Sequence, residues 1–177
     1  LDLSMDKINK VFETPVMDIG GKALKPKECT IKGENVTFRY ENKKVIDNVS
    51  FEIPEGTTTA IVGPSGGGKT TLTSLIARFW DVDSGRITLG GTDVREYTLD
   101  SLLSHFSMVF QNVYLFNDTI ANNIKFGKPS ATMAEVEAAA QKACCHDFIS
   151  ALPSGYDTMI GEGGATLSGG EKQRISI

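Results

Sequence analysis

The chain has 177 residues, 40% hydrophobic, 23% charged and 8% aromatic, which is enough for one globular domain with a sizeable core. Its 18 lysines and arginines against 22 acids leave a net charge of −4, which argues against a broad basic surface for nucleic acid. No apolar run approaches the roughly 20 residues that cross a bilayer, and no signal-peptide pattern opens the chain. Three cysteines, Cys29, Cys144 and Cys145, are too few for a disulfide framework, so composition points to a soluble domain in a reducing compartment, the cytosol.

Leu3, Ile8, Val11 and Phe12 predict a short amphipathic helix over Leu1–Val11, ended near Pro15. Asp18–Lys27, with Gly20, Gly21 and Pro26, reads as a linker. Strands are expected over Ile31–Tyr40 and Val45–Ile53, where Val36, Phe38, Tyr40 and then Val49, Phe51, Ile53 alternate. After the turn Pro54-Glu55-Gly56, the β-branched run Thr57–Val62 predicts a strand buried on both faces. Leu72, Leu75, Ile76 and Phe79 then repeat at helical spacing, which predicts a helix over Lys69–Trp80.

Ser84-Gly85 turns the chain into a short strand, Arg86–Leu89, closed by a hairpin-like turn at Gly90-Gly91. Phe106–Phe110 predicts another short strand. Thr132–Leu152 predicts a helix opened by a capping box, Thr132 with Glu135, and ended by Pro153. Strands alternating with helices indicate an α/β domain with an antiparallel portion near the N-terminus. No internal repeat interrupts this order.

The chemistry begins at Gly63-Pro64-Ser65-Gly66-Gly67-Gly68-Lys69-Thr70, which fits G-x-x-x-x-G-K-[ST], the phosphate-binding P-loop. Glycines permit backbone angles closed to other residues and let several N–H groups converge on phosphate oxygens. The helix that starts at Lys69 adds its positive N-terminal end. Lys69 offers a full charge to the β- and γ-phosphates, and Thr70 offers a hydroxyl to Mg²⁺. An expected buried strand before the loop and a helix after it are the context this motif requires, so the loop is read as a nucleoside triphosphate site.

A second motif narrows the class: Leu167-Ser168-Gly169-Gly170-Glu171-Lys172-Gln173-Arg174. A serine and two glycines ahead of a charged helix start make another anion site, with exposed N–H groups and a hydroxyl. One nucleotide has no obvious need of two such sites in one chain. The pair makes sense if the second covers the γ-phosphate held by another molecule's P-loop.

This sequence resembles the signature motif of the ATP-binding cassette (ABC) family, and other positions agree. Gln111 matches the Q-loop glutamine, which in the family reaches Mg²⁺ and the attacking water. Tyr40 matches the aromatic residue that stacks on adenine, and Val45 sits where the family has an apolar residue beside the same base. The resemblance runs from about Lys27 to Ile177. It implies a P-loop NTPase core of the RecA-like kind, an N-terminal antiparallel β subdomain and an α-helical signature subdomain.

By this resemblance residues 1–27 are the end of a membrane-domain linker and 28–177 an ATP-binding domain, with the antiparallel β portion and P-loop core about 28–111 and the helical subdomain about 112–177. Nucleotide contacts are implied at Tyr40, Val45, Gly63, Pro64, Ser65, Gly66, Gly67, Gly68, Lys69, Thr70 and Thr71. Lys69 and Gln111 are the implied catalytic residues, and Thr70 and Gln111 the implied Mg²⁺ ligands. Leu167, Ser168, Gly169, Gly170 and Glu171 are implied to meet a partner's ATP.

Asp6–Phe12 resembles the segment by which exporter-type transporters join their last membrane helix to the ATP-binding domain. Phe116–Ile124 resembles the exporter surface that meets the membrane domains' coupling helices, and Ile160–Gly164, with Glu162, the exporters' short acidic loop. The implied partners are a second ABC ATP-binding domain and the transmembrane domains of an exporter, with no nucleic acid, at the cytoplasmic face of the cell membrane. ATP and Mg²⁺ are the implied ligands, and ATP hydrolysis coupled to transport is the implied reaction.

The cysteine pair Cys144-Cys145 reads as core packing, one thiol inside and one at the edge, because adjacent helical positions point about 100° apart. His105 and His146 lack ligand-like spacing with them. Val136, Ala139, Ala140, Ala143 and Phe148 read as a core stripe. A chromosome-maintenance or DNA-repair ATPase would insert a long coiled coil between the two motifs, whereas Lys69 and Ser168 stand 99 positions apart with no heptad run between them. A regulatory module that binds nucleotide without hydrolysing it is the alternative. It is favoured by one feature: the family's apolar strand ending in an aspartate and a catalytic glutamate, and its later switch histidine, should follow the signature helix and do not occur before Ile177. The C-terminal part of the core is therefore expected to be missing, the edge of Thr57–Val62 exposed, and the 177 residues inactive as an ATPase alone.

Overall fold

A computed structural model of the chain describes residues 20–161 and 166–177, together with Met5, Asn9, Phe12, Glu13 and Met17. Apart from Met5 and Asn9, the helix expected over Leu1–Val11 lies outside the described residues, as does Glu162. The chain forms two compact units, Leu1–Ser107 and Met108–Ile177.

In the first unit, β1 (Ile31–Tyr40) and β2 (Lys43–Ile53) make an antiparallel hairpin, joined by β3 (Ser84–Leu89) and β4 (Thr92–Asp93) in the order β2-β1-β3-β4. Ile31 stands opposite Ile53 on one side and Leu89 on the other, and Phe38 opposite Ile46, which puts large apolar residues in register. Period-2 alternation sends Val36, Phe38, Ile87 and Leu89 to one face, where Leu75 and Ile76 of α1 (Lys69–Ile76) cover them. Leu102 of α2 (Leu99–Leu103) closes the same core. The buried Tyr97 joins it and donates its hydroxyl to the Leu89 carbonyl at 3.0 Å, so the one polar atom of that ring is satisfied.

Three expectations are corrected here. Residues 57–62 form no strand, and Ile61 and Val62 are 37% and 88% exposed. The expected strand Phe106–Phe110 is likewise absent, with Val109 and Phe110 about half exposed. A strand buried on both faces exists only where neighbours pair with its backbone. Among the described residues no segment pairs with either run. The helix expected to run to Trp80 stops at Ile76 because Arg78 turns to φ 53. That turn buries its guanidinium, which donates to Asp81 at 2.9 Å and to the carbonyls of Arg95 and Tyr97 at 3.4 and 3.3 Å. Within the stretch read as a linker, Lys22 and Leu24 are bonded to this unit. Lys22 bridges to the chain at Tyr97, accepting from Thr98 N–H at 2.9 Å and donating to Glu96 at 2.8 Å, and the Ser101 hydroxyl donates to the Leu24 carbonyl.

The second unit is helical. Its elements are β5 (Asp118–Thr119), α3 (Ile120–Lys125), α4 (Met133–Lys142), α5 (His146–Ser150), β6 (Met159–Ile160) and α6 (Gly169–Ser176). β5 and β6 pair antiparallel. Ile120, Ala140, Cys145, Ile149, Ile160, Leu167 and Ile175 form the core. The Thr132–Glu135 capping box opens α4 as expected. The single helix expected to Leu152 is instead two, because Cys144 takes a left-handed φ of 54 and turns the chain between them. This break leaves Cys144 exposed and puts Cys145 in the core, where burial pushes its thiol pKa up and keeps it protonated. Val136 and Ala140 of the expected stripe are buried and Ala143 and Phe148 pack partly against the core, while Ala139 faces out. No described helix is long and apolar enough to cross a membrane.

Candidate functional site

In the first unit the glycine-rich loop enters α1 through Gly68, whose φ of 82 is left-handed. Gly66 is left-handed as well, at φ 77. The Gly67 N–H donates to the Pro64 carbonyl at 3.1 Å, folding the loop back on itself. Gly68 also lies tight against β2: a Cβ there would stand 2.8 Å from Ile46 Cδ1 and 3.1 Å from the Val45 carbonyl oxygen. The glycine therefore serves the turn and the close approach together.

What this arrangement leaves uncovered is the start of the helix. The first intrahelical bond runs from Leu72 N–H to the Gly68 carbonyl, so the N–H groups of Lys69, Thr70 and Thr71 have no partner within α1. No side chain caps them either, since Gly68 has none to offer. By contrast Thr98, Thr119, Thr132 and Ser168 each cap the helix that follows. The uncapped end opens on a cavity of about 160 Å³ lined by Val45, Gly66, Gly67, Lys69, Thr70 and Thr71. Gly63, Pro64 and Ser65 lie exposed in the loop before it. Lys69 curls over the loop, its ammonium donating to the carbonyls of Gly63 at 2.9 Å and Pro64 at 2.8 Å. Two of its three protons are thus used to hold the loop shut, which leaves the third for an anion. Unpaired first-turn N–H groups, the positive end of the helix and a full charge are the features that suit a phosphate.

Tyr40 ends β1 at the hairpin tip and is 39% exposed. Its ring meets Phe38 at 4.9 Å and Trp80 at 5.7 Å, both nearly perpendicular. Val45, on the other strand of the hairpin, lines the phosphate cavity, so β2 links the aromatic tip to the loop. Trp80 has no place in the sequence-derived set. Its only signal was its position in a segment expected to be helical, which gave no reason to bring it to Tyr40.

Gln111 and the second motif belong to the second unit. Leu167 anchors the motif in that core, and Ser168 begins α6 with a reciprocal cap. Its hydroxyl accepts from Glu171 N–H at 3.3 Å, and its own N–H donates to the Glu171 carboxylate at 2.7 Å. That backbone bond, joined by one from the Ser168 side chain, holds the Glu171 carboxyl below the usual carboxylate range. Gly169 and Gly170 carry the two remaining first-turn N–H groups, and the space about them is open apart from Arg174 Nη1, 3.9 Å from where a Gly170 Cβ would stand. The Gln111 carbonyl accepts from Gln173 Nε2 of α6 at 3.4 Å, tying the loop after residue 110 to the signature helix.

Comparison with known proteins gives the family. The family model described as ABC transporter matches residues 46–177. The chain belongs to the ABC transporter family. It is 51% identical over 155 residues to an ATP-dependent lipid A-core flippase of Desulfotalea psychrophila, covering 88% of this chain and 27% of that protein. It is 48% identical over 167 residues to the human ATP-binding cassette sub-family B member 6, covering 93% of this chain and 20% of the relative. Among solved structures it matches a bacterial Atm1-family ABC exporter with ATP bound, at a TM-score of 0.87 and 41% identity, over 98% of this chain and 31% of the other. This ABC chain thus has the family's ATP-binding fold, and it spans about a quarter of the length of these relatives.

Proposed function

We propose that this chain is the ATP-binding part of an ABC exporter, using ATP at its P-loop to drive transport by membrane domains. The observation that carries it is the uncapped N-terminus of α1 behind left-handed Gly68, with Lys69 folded over the loop. Tyr40 and Val45 form the base side of the site, and Gly63 through Thr71 the phosphate side. Its relatives are named as a flippase and an exporter, which supports transport as the work done. Nothing in the fold favours the non-hydrolysing alternative.

Mg²⁺ fits the donor set. Thr70 is exposed on the first turn of α1, beside N–H groups suited to phosphate, and Mg²⁺ takes a hydroxyl with phosphate oxygens rather than a protein-only cage. Among the described residues no three His, Cys, Asp or Glu side chains gather as such a cage. Thr70 would hold the ion through its hydroxyl, and the ion when bound supplies charge to the phosphates. Lys69 neutralises the terminal phosphate and orients it for in-line attack by water, so the chain's part in hydrolysis is positioning and charge.

Gly169 and Gly170, with the Ser168 hydroxyl, are suited to a second triphosphate presented by a partner ATP-binding domain. We assign residues 1–27 to a membrane-domain linker and Phe116–Ile124 to the surface that meets the membrane domains, on the cytoplasmic face. The exposed rings at and beside its ends, with Phe116 stacked on Phe126 at 4.7 Å and Tyr114 edge-on to Phe116 at 5.8 Å, are apolar anchors of the kind interfaces use. The test is Lys69→Ala. Loss of one charge-assisted contact is expected to weaken ATP binding by about 10- to 100-fold. Unchanged affinity in a protein that still unfolds cooperatively would refute the P-loop assignment.

A further inference from the structure

Tyr40 sits at the tip of a hairpin, where the backbone alone does not fix the plane of a ring. Two perpendicular contacts do so here: Phe38 from the same strand, at 88°, and Trp80, at 90°, from the segment beyond α1. Trp80 is 52% exposed, and its ring lies 6.3 Å from Phe38, so the three aromatics form one cluster at the surface. The segment that carries Trp80 is itself rigidly tied. Arg78, two residues before it, is buried in its left-handed turn and bonded to Asp81, one residue after it, and to carbonyls from two further positions. Trp80 therefore approaches Tyr40 from a fixed base. The three rings line one concavity of about 580 Å³ together with Arg39, Glu41 and Lys43.

We propose that Trp80 is a positioning residue for the nucleotide base: it holds the Tyr40 ring in the plane on which the base stacks, and does not itself touch the base. This rests on the assignment of Tyr40 as the base platform. An edge-to-face aromatic contact contributes enough beyond its buried area to change an affinity by about 3- to 10-fold. Removing it lets the Tyr40 ring rotate, and the ordering that Trp80 had supplied is then required at each binding event.

The experiment measures equilibrium affinity for ATP and for inorganic tripolyphosphate, which has the phosphates without a base, in the whole protein that carries this chain. Trp80→Ala is expected to weaken ATP binding about 3- to 10-fold and to leave tripolyphosphate binding unchanged. Trp80→Phe, which keeps an edge, restores ATP affinity. Trp80→Leu, which keeps apolar bulk without a ring, gives the same loss and serves where the alanine variant does not fold. Tyr40→Ala weakens ATP binding, and adding Trp80→Ala to it changes nothing more. An equal loss for ATP and tripolyphosphate would show a structural role and overturn the proposal. So would a Trp80→Ala and Trp80→Leu pair that bind ATP normally while Tyr40→Ala does not, or a double variant weaker than Tyr40→Ala alone. If Tyr40→Ala itself binds ATP normally, the base platform falls, and the role of Trp80 with it.

Discussion

Gly68→Ala tests whether the glycine-rich loop depends on a backbone that only glycine can supply. An alanine there must keep φ near 82, and left-handed backbone costs an L-residue about 1–2 kcal/mol. Its Cβ would also meet Ile46 Cδ1 at 2.8 Å and the Val45 carbonyl oxygen at 3.1 Å. The Ile46 methyl can swing aside, but the carbonyl is held in β2, so the loop must move, at an overpacking cost of about 1–3 kcal/mol. Gly66→Ala is the control: its φ of 77 is as unfavourable, yet nothing lies within 4 Å of a Cβ there. Heat unfolding followed by scanning fluorimetry should therefore place Gly68→Ala below Gly66→Ala by about 2–12 °C, taking about 2–4 °C per kcal/mol for a chain of this size. ATP affinity should fall more for Gly68→Ala, because the displaced backbone carries the N–H groups of Lys69 to Thr71. Equal melting midpoints for the two variants would refute the close packing of the loop on β2.

At the second motif, Ser168→Ala removes the hydroxyl that accepts from Glu171 N–H and should lower the unfolding midpoint by the roughly 1 kcal/mol of an N-cap. Ser168→Asp keeps a cap and the stability but puts a carboxylate where a partner's phosphate is proposed to sit; it should abolish ATP-dependent pairing, and pairing at the normal ATP concentration would exclude that role. Glu135 is held down to about 2, first by Lys128, whose ammonium lies 2.6 Å from the carboxylate, then by the Thr132 N–H and hydroxyl. A depressed carboxylate contributes its stability above the ordinary value near 4.5 and loses it as pH falls toward 2. The stability gap between the wild type and Glu135→Gln should shrink across that window, and a gap constant with pH would show that the carboxylate is not held as described.

Features written in a few consecutive residues were legible in the sequence. The P-loop, the Ser168 and Thr132 caps, the β1–β2 hairpin and the β3–β4 turn each depend on side chains and backbone angles within one short stretch, so composition and spacing suffice. Thr57–Val62 and Phe106–Phe110 were not. An apolar β-branched run becomes a strand only where a neighbour accepts its backbone hydrogen bonds, and that neighbour is a distant part of a fold. The ends of α1 and α4 escaped periodicity for a related reason. Arg78 leaves the helix to reach carbonyls at Arg95 and Tyr97, and Cys144 turns the chain so that Cys145 reaches the core.

The sequence by itself determined the kind of ligand, because phosphate chemistry is carried by a contiguous glycine loop, a lysine and a helix start. Only the tertiary structure decided how that start is left open, by packing Gly68 against β2. It alone also decided which ring stands beside Tyr40. Trp80 lies 40 positions away in the chain, and a pairing over that distance is set by how Arg78 anchors its turn, which no local pattern records.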